Sequence, residues 1–111
     1  MSAVGFIVVL TDTAEADLES LYDYICETRS VAAADLILAK MHTIVGSLQL
    51  FPERGCCPLE LDNTGEGNVR QLVNWPYRVI YEIHSQRVEI IAVVDGRRDL
   101  RSLLRHRLMI S

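Results

Sequence analysis

Arginine is the residue type whose positions in this 111-residue chain point most clearly to chemistry. Residues 97–111 hold five arginines and one acid, whereas residues 1–35 hold seven acids and one arginine. Guanidinium groups bind phosphates and carboxylates through paired hydrogen bonds, so the basic end is predicted to contact something acidic. The alternative is a charged helix face that balances an acidic face elsewhere in the fold, and charge alone favours this alternative.

Two further arginines fall within strand-like runs. Arg78 would project from a central strand, where an unpaired charge is costly. It is therefore predicted either to pair with Glu82 or Glu89, or to face an open functional surface, and the two interpretations are equally supported. Arg70 lies in the preceding run, where its side chain should point to the opposite sheet face from those of its two neighbours.

The histidines and cysteines give no pattern of catalysis or metal binding. None of the histidines has a nucleophile or a paired carboxylate at an interpretable spacing. The cysteines form no C-x-x-C motif and have no histidine at zinc-ligand spacing. The residues concerned are His42, His84, His106, Cys26, Cys56 and Cys57. No metal and no cofactor are predicted.

The apolar patterns in the second half of the chain predict three adjacent antiparallel strands. Side chains alternate along 77–84 and again along 88–95, and the polar break between these runs predicts a hairpin. A third run, 69–74, ends at Trp75 and Pro76, where helix is disfavoured. The predicted apolar faces consist of Tyr77, Val79, Tyr81 and Ile83 in the first run and of Val88, Ile90, Ala92 and Val94 in the second, with Ile91 and Val93 on the opposite face.

The first half of the chain predicts one strand followed by two amphipathic helices. Residues 4–10 are dense in Val, Ile and Phe, and should form a buried strand that joins the sheet. Thr11 and Asp12 offer N-cap oxygens to the first helix, with Asp12 and Glu15 at capping-box spacing, and Ser30 caps the second. Two such helices separated by a few polar residues predict a helical hairpin.

The remaining segments are predicted to be a long connection and a basic helix. Residues 52–68 carry prolines and glycines without an apolar period, which predicts a surface connection. Residues 99–109 have leucines at helical spacing. Arg98, Arg101 and Arg105 lie three and four positions apart, which aligns them on one side of that helix.

These elements predict one α+β domain that spans residues 1–111. It has an N-terminal strand, a helical hairpin packed on a small, mainly antiparallel sheet of about four strands, and a short basic C-terminal helix. Half of the residues are apolar, which suits a compact core. The first ten residues lack a basic start and are too short to cross a bilayer, so no signal peptide or membrane span is predicted and the expected location is the cytoplasm.

The order of these elements, the motif Tyr-Arg-x-x-Tyr at residues 77–81 and the ending Gly-Arg-Arg-Asp at residues 96–99 together resemble the toxins of the RelE/ParE superfamily. The resemblance implies the toxic half of a bacterial type II toxin–antitoxin pair, of the kind that stabilises plasmids. It implies neutralisation by a small antitoxin whose extended or helical segment wraps the toxin, with operator DNA bound only through that antitoxin. RelE-like members cut messenger RNA in the ribosomal decoding site, and ParE-like members poison DNA gyrase.

Comparison with the RelE pattern favours the ParE branch. The chain retains Arg78 and Arg98, but Val69, Gln71 and Leu104 stand where two lysines and a tyrosine supply the acid–base chemistry of RelE-like members. A ribosome-bound nuclease would also carry a strongly positive surface, whereas this chain has a net charge of -4. The resemblance therefore predicts a gyrase inhibitor without enzymatic activity.

Two alternatives stay open at this point. One is a ribosome-dependent endoribonuclease that uses Arg78 and Arg98 with rearranged partners. The other is a detoxified member that binds only its antitoxin and operator complex. The residues predicted to contact the antitoxin or the target are Arg70, Arg78, Arg97, Arg98, Arg101 and Arg105.

Overall fold

A computed structural model of the chain describes residues 5–58, 68–97 and 100–108. Residues 59–67 of the predicted connection, and residues 98–99 before the last helix, lie outside this description. The described residues form three α-helices and a four-stranded sheet, which confirms the predicted α+β class. The elements are β1 (Ile7–Leu10), α1 (Asp12–Thr28), α2 (Val31–Gly46), a 3-10 turn (Ser47–Gln49), β2 (Val69–Asn74), β3 (Tyr77–His84), β4 (Arg87–Asp95) and α3 (Leu100–Leu108).

The strands follow the order β1-β4-β3-β2 across the sheet. β1 runs parallel to β4, from the pair Ile7 and Arg87 to the pair Leu10 and Ile90. β2, β3 and β4 follow one another as an antiparallel meander. The N-terminal strand therefore joins the sheet beside the last strand, and the predicted mainly antiparallel sheet is confirmed.

Both helices of the hairpin begin at side-chain caps. Thr11 Oγ1 accepts a hydrogen bond from the Ala14 amide at 3.1 Å, and Ser30 Oγ accepts one from the Ala33 amide at 3.0 Å. These oxygens satisfy amides that have no partner inside the helix. Thr11 is the N-cap of α1 and Asp12 is its first helical residue. The capping box predicted on Asp12 is therefore wrong.

A β-bulge in β4 reverses the predicted alternation of side chains along that strand. Ile80 pairs with Ala92 and Tyr81 pairs with Ile90, so Ile91 is an extra residue in β4. One extra residue moves every later side chain to the other face of the sheet, and the prediction of a single apolar face is wrong beyond the bulge. The face toward the helical hairpin carries Val88, Ile90 and Val93, and the face toward α3 carries Ala92 and Val94.

The sheet separates two hydrophobic cores. The larger lies under α1 and α2, and its buried residues are Ala14, Met41, Leu48, Leu72, Val79, Tyr81, Val88, Ile90 and Val93. The smaller lies under α3, and its buried residues are Val69, Ile80, Ala92, Val94, Leu100 and Leu104. Tyr77 and Ile83 pack against the larger core, which confirms the predicted apolar face of β3. Helices thus cover both faces of the sheet.

An ion pair between Asp17 and Arg107 provides hydrogen-bond partners for the backbone of β4 next to the bulge. β1 ends opposite Ile90, and among the residues that the structure describes no other strand neighbours β4 on that side beyond this point. Asp17 Oδ2 accepts the Val93 amide at 3.0 Å, and Arg107 Nη1 donates to the Ile91 carbonyl at 3.2 Å. The guanidinium also donates to both carboxylate oxygens of Asp17, at 2.5 and 3.0 Å. One polar contact thereby joins α1, β4 and α3.

Replacing Asp17 by alanine is expected to lower the free energy of unfolding by about 2–4 kcal/mol, because the Arg107 guanidinium and the Val93 amide lose their acceptor. The matched control is Asp23→Ala, which removes an exposed acid from the same helix. That control should change the free energy of unfolding by less than about 0.5 kcal/mol. Urea unfolding followed by circular dichroism measures both, and equal losses would show that the ion pair does not support the strand edge.

The segment that follows the 3-10 turn is fixed to β2 and β3. The buried Tyr81 hydroxyl donates to the Pro52 carbonyl at 2.7 Å and accepts the Gly55 amide at 3.0 Å. The backbones of Cys56 and Gln71 exchange two hydrogen bonds. A Cβ atom on Gly55 would lie 2.4 Å from the Gln71 carbonyl oxygen and 2.6 Å from the Tyr81 hydroxyl. Glycine is therefore required here by the close approach of the β2 backbone and of the Tyr81 side chain.

The substitution Gly55→Ala is expected to lower the free energy of unfolding by about 1–3 kcal/mol, because the added methyl group overlaps a backbone oxygen. The control is Gly46→Ala in α2, where a Cβ atom meets nothing within 4 Å. Alanine at that helical position should stabilise the chain by up to about 1 kcal/mol. Thermal unfolding of the two variants measures the contrast. A Gly55 variant as stable as the parent chain would contradict the packing described.

α2 and the turn after it form one stretch of high mean hydropathy. By length and composition alone, Val31–Gln49 has the character of a membrane-spanning helix, a test that core helices of soluble proteins also pass. Many of its apolar residues are half-buried, but Val31 and Leu36 are exposed. These two side chains are therefore accessible to another molecule.

Candidate functional site

The two motifs singled out in the sequence meet where β3 begins and β4 ends. Arg78 pairs with Val94 across the two strands. The Gly96 amide donates to the Pro76 carbonyl at 2.5 Å, and a Cβ atom on Gly96 would lie 2.9 Å from Cδ of Arg78. The glycine of the ending is needed because the turn passes directly over the strand arginine. The Tyr-Arg and Gly-Arg motifs are thus parts of one surface.

Arg78 is half-buried and lies on the same sheet face as the smaller core. Its Nε donates to Oε1 of Gln71 on β2 at 2.7 Å. The partners predicted for Arg78, Glu82 and Glu89, both lie beside His84, with Oε1 to Nε2 distances of 3.3 and 3.4 Å. Gln71 therefore orients the Arg78 side chain through a neutral acceptor.

Asp95 holds the first arginine of the turn. Its Oδ1 accepts hydrogen bonds from the Arg97 amide at 2.9 Å and from Nε at 2.8 Å, and its Oδ2 accepts one from Nη2 at 2.5 Å. These hydrogen bonds, together with the negative charge of Asp95, raise the pKa of Arg97 above its usual value. The Arg97 side chain remains 68% exposed. Asp95 thus sets the direction of this arginine without burying it.

The last helix presents leucines to the sheet and two of its arginines, Arg101 and Arg105, to solvent. Leu100 and Leu104 are buried in the smaller core, so the predicted amphipathic character of α3 is confirmed. Arg98 lies outside the described residues, and its predicted part in binding or cleavage stays a prediction. The exposed arginines of the turn and of α3 form what we call the basic face: Arg97, Arg101 and Arg105.

Arg70, also predicted to contact a partner, is engaged within the chain. Its Nη1 donates to the Gly55 carbonyl at 2.7 Å and to the Glu53 carbonyl at 3.2 Å. These contacts fix the segment that precedes β2. Arg70 lies on β2 next to Gln71, and alternation along the strand places their side chains on opposite sheet faces.

Two of the positions that carry acid–base groups in RelE-like proteins are packed with apolar side chains. Val69 is 1% exposed and Leu104 is 0% exposed, and both belong to the smaller core. The third, Gln71, is hydrogen-bonded to Arg78. At these positions α3 lies directly against the sheet.

A groove of about 770 Å³ opens on the helical hairpin, and we call it the acidic groove. It is bordered by exposed acids from both helices and by half-buried leucines from β1, α1 and α2. Such a groove suits a segment that carries both basic and apolar side chains. The acids are Glu15, Glu19, Asp23 and Asp35, the leucines are Leu10, Leu18 and Leu38, and Tyr22 and His42 complete the lining.

α2 also carries large apolar side chains that point away from the sheet. Leu36 is 73% exposed and Val31 is 58% exposed. Leu50 and Phe51, just after the 3-10 turn, are 65% and 64% exposed. The sequence pattern predicts one apolar face for this helix, but apolar residues occupy both its buried and its solvent-facing sides. The second side is a surface on which another chain can pack.

Tyr22 and Asp35 link the two helices across the acidic groove. The Tyr22 hydroxyl donates to Asp35 Oδ1 at 2.8 Å. This hydrogen bond, helped by desolvation and by the charge of Asp35, raises the pKa of Tyr22 to about 12. The neutral phenol is therefore the form that the folded chain favours.

Since the folded pKa of Tyr22 lies above the unfolded value of 10.0, its contribution to stability is present below pH 10 and is lost as pH rises through about 12. We expect Asp35→Asn to move the Tyr22 pKa back toward 10.0. Phenolate absorbance measures this, with Tyr22→Phe identifying the signal among the four tyrosines. Ionisation of Tyr22 near pH 10 in the parent chain would exclude the hydrogen bond.

Sequence reasoning missed two features of this surface. One is the contact between Asp17 and Arg107, which bind each other across 90 residues of sequence. The acidic groove was missed as well, although the dense acids of α1 were its signal. The pairing of distant charges leaves no local spacing to recognise.

Comparison with known proteins identifies relatives of this chain. A family model described as the ParE toxin of the type II toxin–antitoxin system parDE matches residues 8–100. Toxin ParE3 of Caulobacter vibrioides is 26% identical over 97 residues, which covers 87% of this chain and 93% of that protein.

Two solved structures share the fold. The chromosomal ParDE system from P. aeruginosa superposes with a TM-score of 0.67 at 19% identity, covering 84% of this chain and 98% of that chain. The toxin–antitoxin complex RelBE2 from Mycobacterium tuberculosis superposes with a TM-score of 0.57 at 24% identity, covering 83% of this chain and 99% of that chain. At these identities the likeness concerns the fold alone.

Proposed function

The chain belongs to the ParE family of toxins from type II toxin–antitoxin systems, and on this basis we propose that it inhibits DNA gyrase and that a cognate antitoxin neutralises it. Both interactions would take place in the cytoplasm, with operator DNA bound only through the antitoxin. The toxin would act by binding rather than by catalysing a reaction.

The observation that carries the gyrase proposal is the packing of α3 on the sheet. Val69 and Leu104 fill the space in which a RelE-type nuclease would place acid–base groups. An aliphatic side chain can neither donate nor accept a proton. Metal-free cleavage of RNA would therefore have to proceed without the acid–base groups at both of these positions. The same packing turns Arg101 and Arg105 outward, where they can bind acidic groups of a large partner.

The acidic groove and the exposed side of α2 support the antitoxin proposal. The two similar solved structures are toxin–antitoxin systems. A groove lined by Glu15, Glu19 and Asp23 favours a segment with lysine or arginine. The exposed apolar side chains of Val31 and Leu36 on α2 can be covered by an apolar face of the antitoxin. We propose that the antitoxin segment folds as it fills this surface.

Purified toxin is expected to inhibit gyrase supercoiling and to accumulate cleaved DNA, and addition of the antitoxin should restore supercoiling. The double substitution Arg101→Glu and Arg105→Glu should weaken inhibition by about tenfold or more, because attraction to an acidic surface becomes repulsion. The control is Arg29→Glu, an exposed arginine between α1 and α2, which should inhibit as the parent does. Unaffected supercoiling and cleavage at micromolar toxin would refute the gyrase target.

A ribosome-dependent endoribonuclease is the second candidate. It is considered because the chain shares its fold with the RelBE2 complex. Arg78 and Arg98 would then supply positive charge at the cleaved phosphate. Expression of the toxin alone in bacteria separates the two candidates. Filamentation and DNA damage signalling while translation continues support gyrase. Immediate arrest of translation with codon-resolved cleavage of messenger RNA supports the nuclease, and harmless expression supports a detoxified member.

A further inference from the structure

The hairpin of β3 and β4 carries an unusual pair of acids. Glu82 and Glu89 are directly opposite each other across the two strands. Like charges at such a position repel and destabilise the sheet unless a cation lies between them. His84 follows Glu82 on the same face, with its Nε2 atom 3.3 Å from Glu82 Oε1 and 3.4 Å from Glu89 Oε1. The three side chains thus place one nitrogen and two oxygens around one point.

The geometry of His84 is not that of a hydrogen-bonded imidazole. Its Nε2 atom is buried and has no hydrogen-bond partner among the described residues, although two carboxylate oxygens lie close by. Zinc binds imidazole nitrogen and carboxylate oxygen at about 2.0–2.2 Å, so two ligand atoms of a tetrahedral site are separated by roughly 3.3–3.5 Å. The two distances from Nε2 agree with that spacing. All three donor atoms lie within 4.8 Å of one another.

We propose that Glu82, His84 and Glu89 bind a divalent transition-metal ion, with Zn²⁺ as the ion that the donor set fits best. One imidazole and two carboxylates supply the borderline and hard donors that this ion accepts. The ion would neutralise the two opposed acids of the hairpin. Arg87 Nη2 lies 3.7 Å from the other oxygen of Glu89, which leaves Oε1 of that carboxylate for the ion.

Two of the three proposed ligands border an open cleft. Glu82 and Glu89 line a cleft of about 410 Å³ that they share with His106 and Arg107 of α3. Three protein ligands with an open fourth position are the usual arrangement of an accessible zinc site, and water can enter from such a cleft. Sequence spacing did not reveal the site because Glu89 reaches it from the second strand of the hairpin. The proposal is independent of whether gyrase or the ribosome is the target.

The experiment is a titration of the full-length chain with Zn²⁺ in competition with a chromophoric chelator, repeated with Co²⁺ for its visible spectrum. The expected result is one ion bound per chain, with no thiolate-to-metal charge-transfer band, and binding that survives alkylation of the cysteines. His84→Gln and Glu89→Gln should each weaken binding by about tenfold or more. His42→Gln, which changes an exposed histidine of α2, is the matched control and should bind as the parent does.

Circular dichroism of each variant verifies that the chain is folded before the titration is interpreted. Binding of equal strength in the parent and His84→Gln chains would overturn the proposal, as would a site lost on alkylation of the cysteines. Absence of one-to-one binding by the folded parent chain at micromolar Zn²⁺ would also overturn it.

Discussion

The fold depends on how the backbone amide and carbonyl groups at the exposed edge of β4 find hydrogen-bond partners. β1 is four residues long and β4 is nine, so the neighbouring strand ends while β4 continues. Unpaired strand edges carry amide and carbonyl groups that either need partners or invite another chain. Here the Asp17 carboxylate accepts a hydrogen bond from the Val93 amide, and the Arg107 guanidinium donates one to the Ile91 carbonyl. The same two side chains bind each other, so the edge is closed by a contact that also fixes α3 against α1.

The bulge at Ile91 determines which side chains of β4 face each core. Val88, Ile90 and Val93 face the helical hairpin, whereas Ala92 and Val94 face α3. Without the shift, Ala92 and Val94 would face the helical hairpin, and Ile91 and Val93 would face α3 in their place. The apolar surface that α3 covers on β4 is therefore set by a single inserted residue.

The sequence was informative where a local pattern determines structure, and uninformative where distant residues meet. The alternation of residues 77–83 and the cap at Ser30 were predicted correctly because each depends on neighbours a few positions away. The bulge was not predicted because residues 90–94 of β4, which include it, are all apolar. A change of sheet face therefore does not alter the pattern of polar and apolar residues along this part of the strand. The contact of Asp17 with Arg107, and the grouping of Glu82 with Glu89, depend on the folded sheet. The hydrogen bonds that Arg97 donates to Asp95 likewise could not be predicted from the sequence.

Charge is separated by the sheet itself. The acidic groove belongs to the helical hairpin on one face, whereas α3 and its arginines cover the other. A chain of net charge -4 can thereby offer an acidic surface to one partner and a basic surface to another, since screening weakens the interaction between charges more than about 10 Å apart. For the proposed antitoxin this has a geometric consequence. A segment that filled only the groove would leave the basic face open, so neutralisation of a toxin that acts through α3 requires an antitoxin long enough to pass around the sheet edge, or one that displaces α1 and loosens its contact with Arg107.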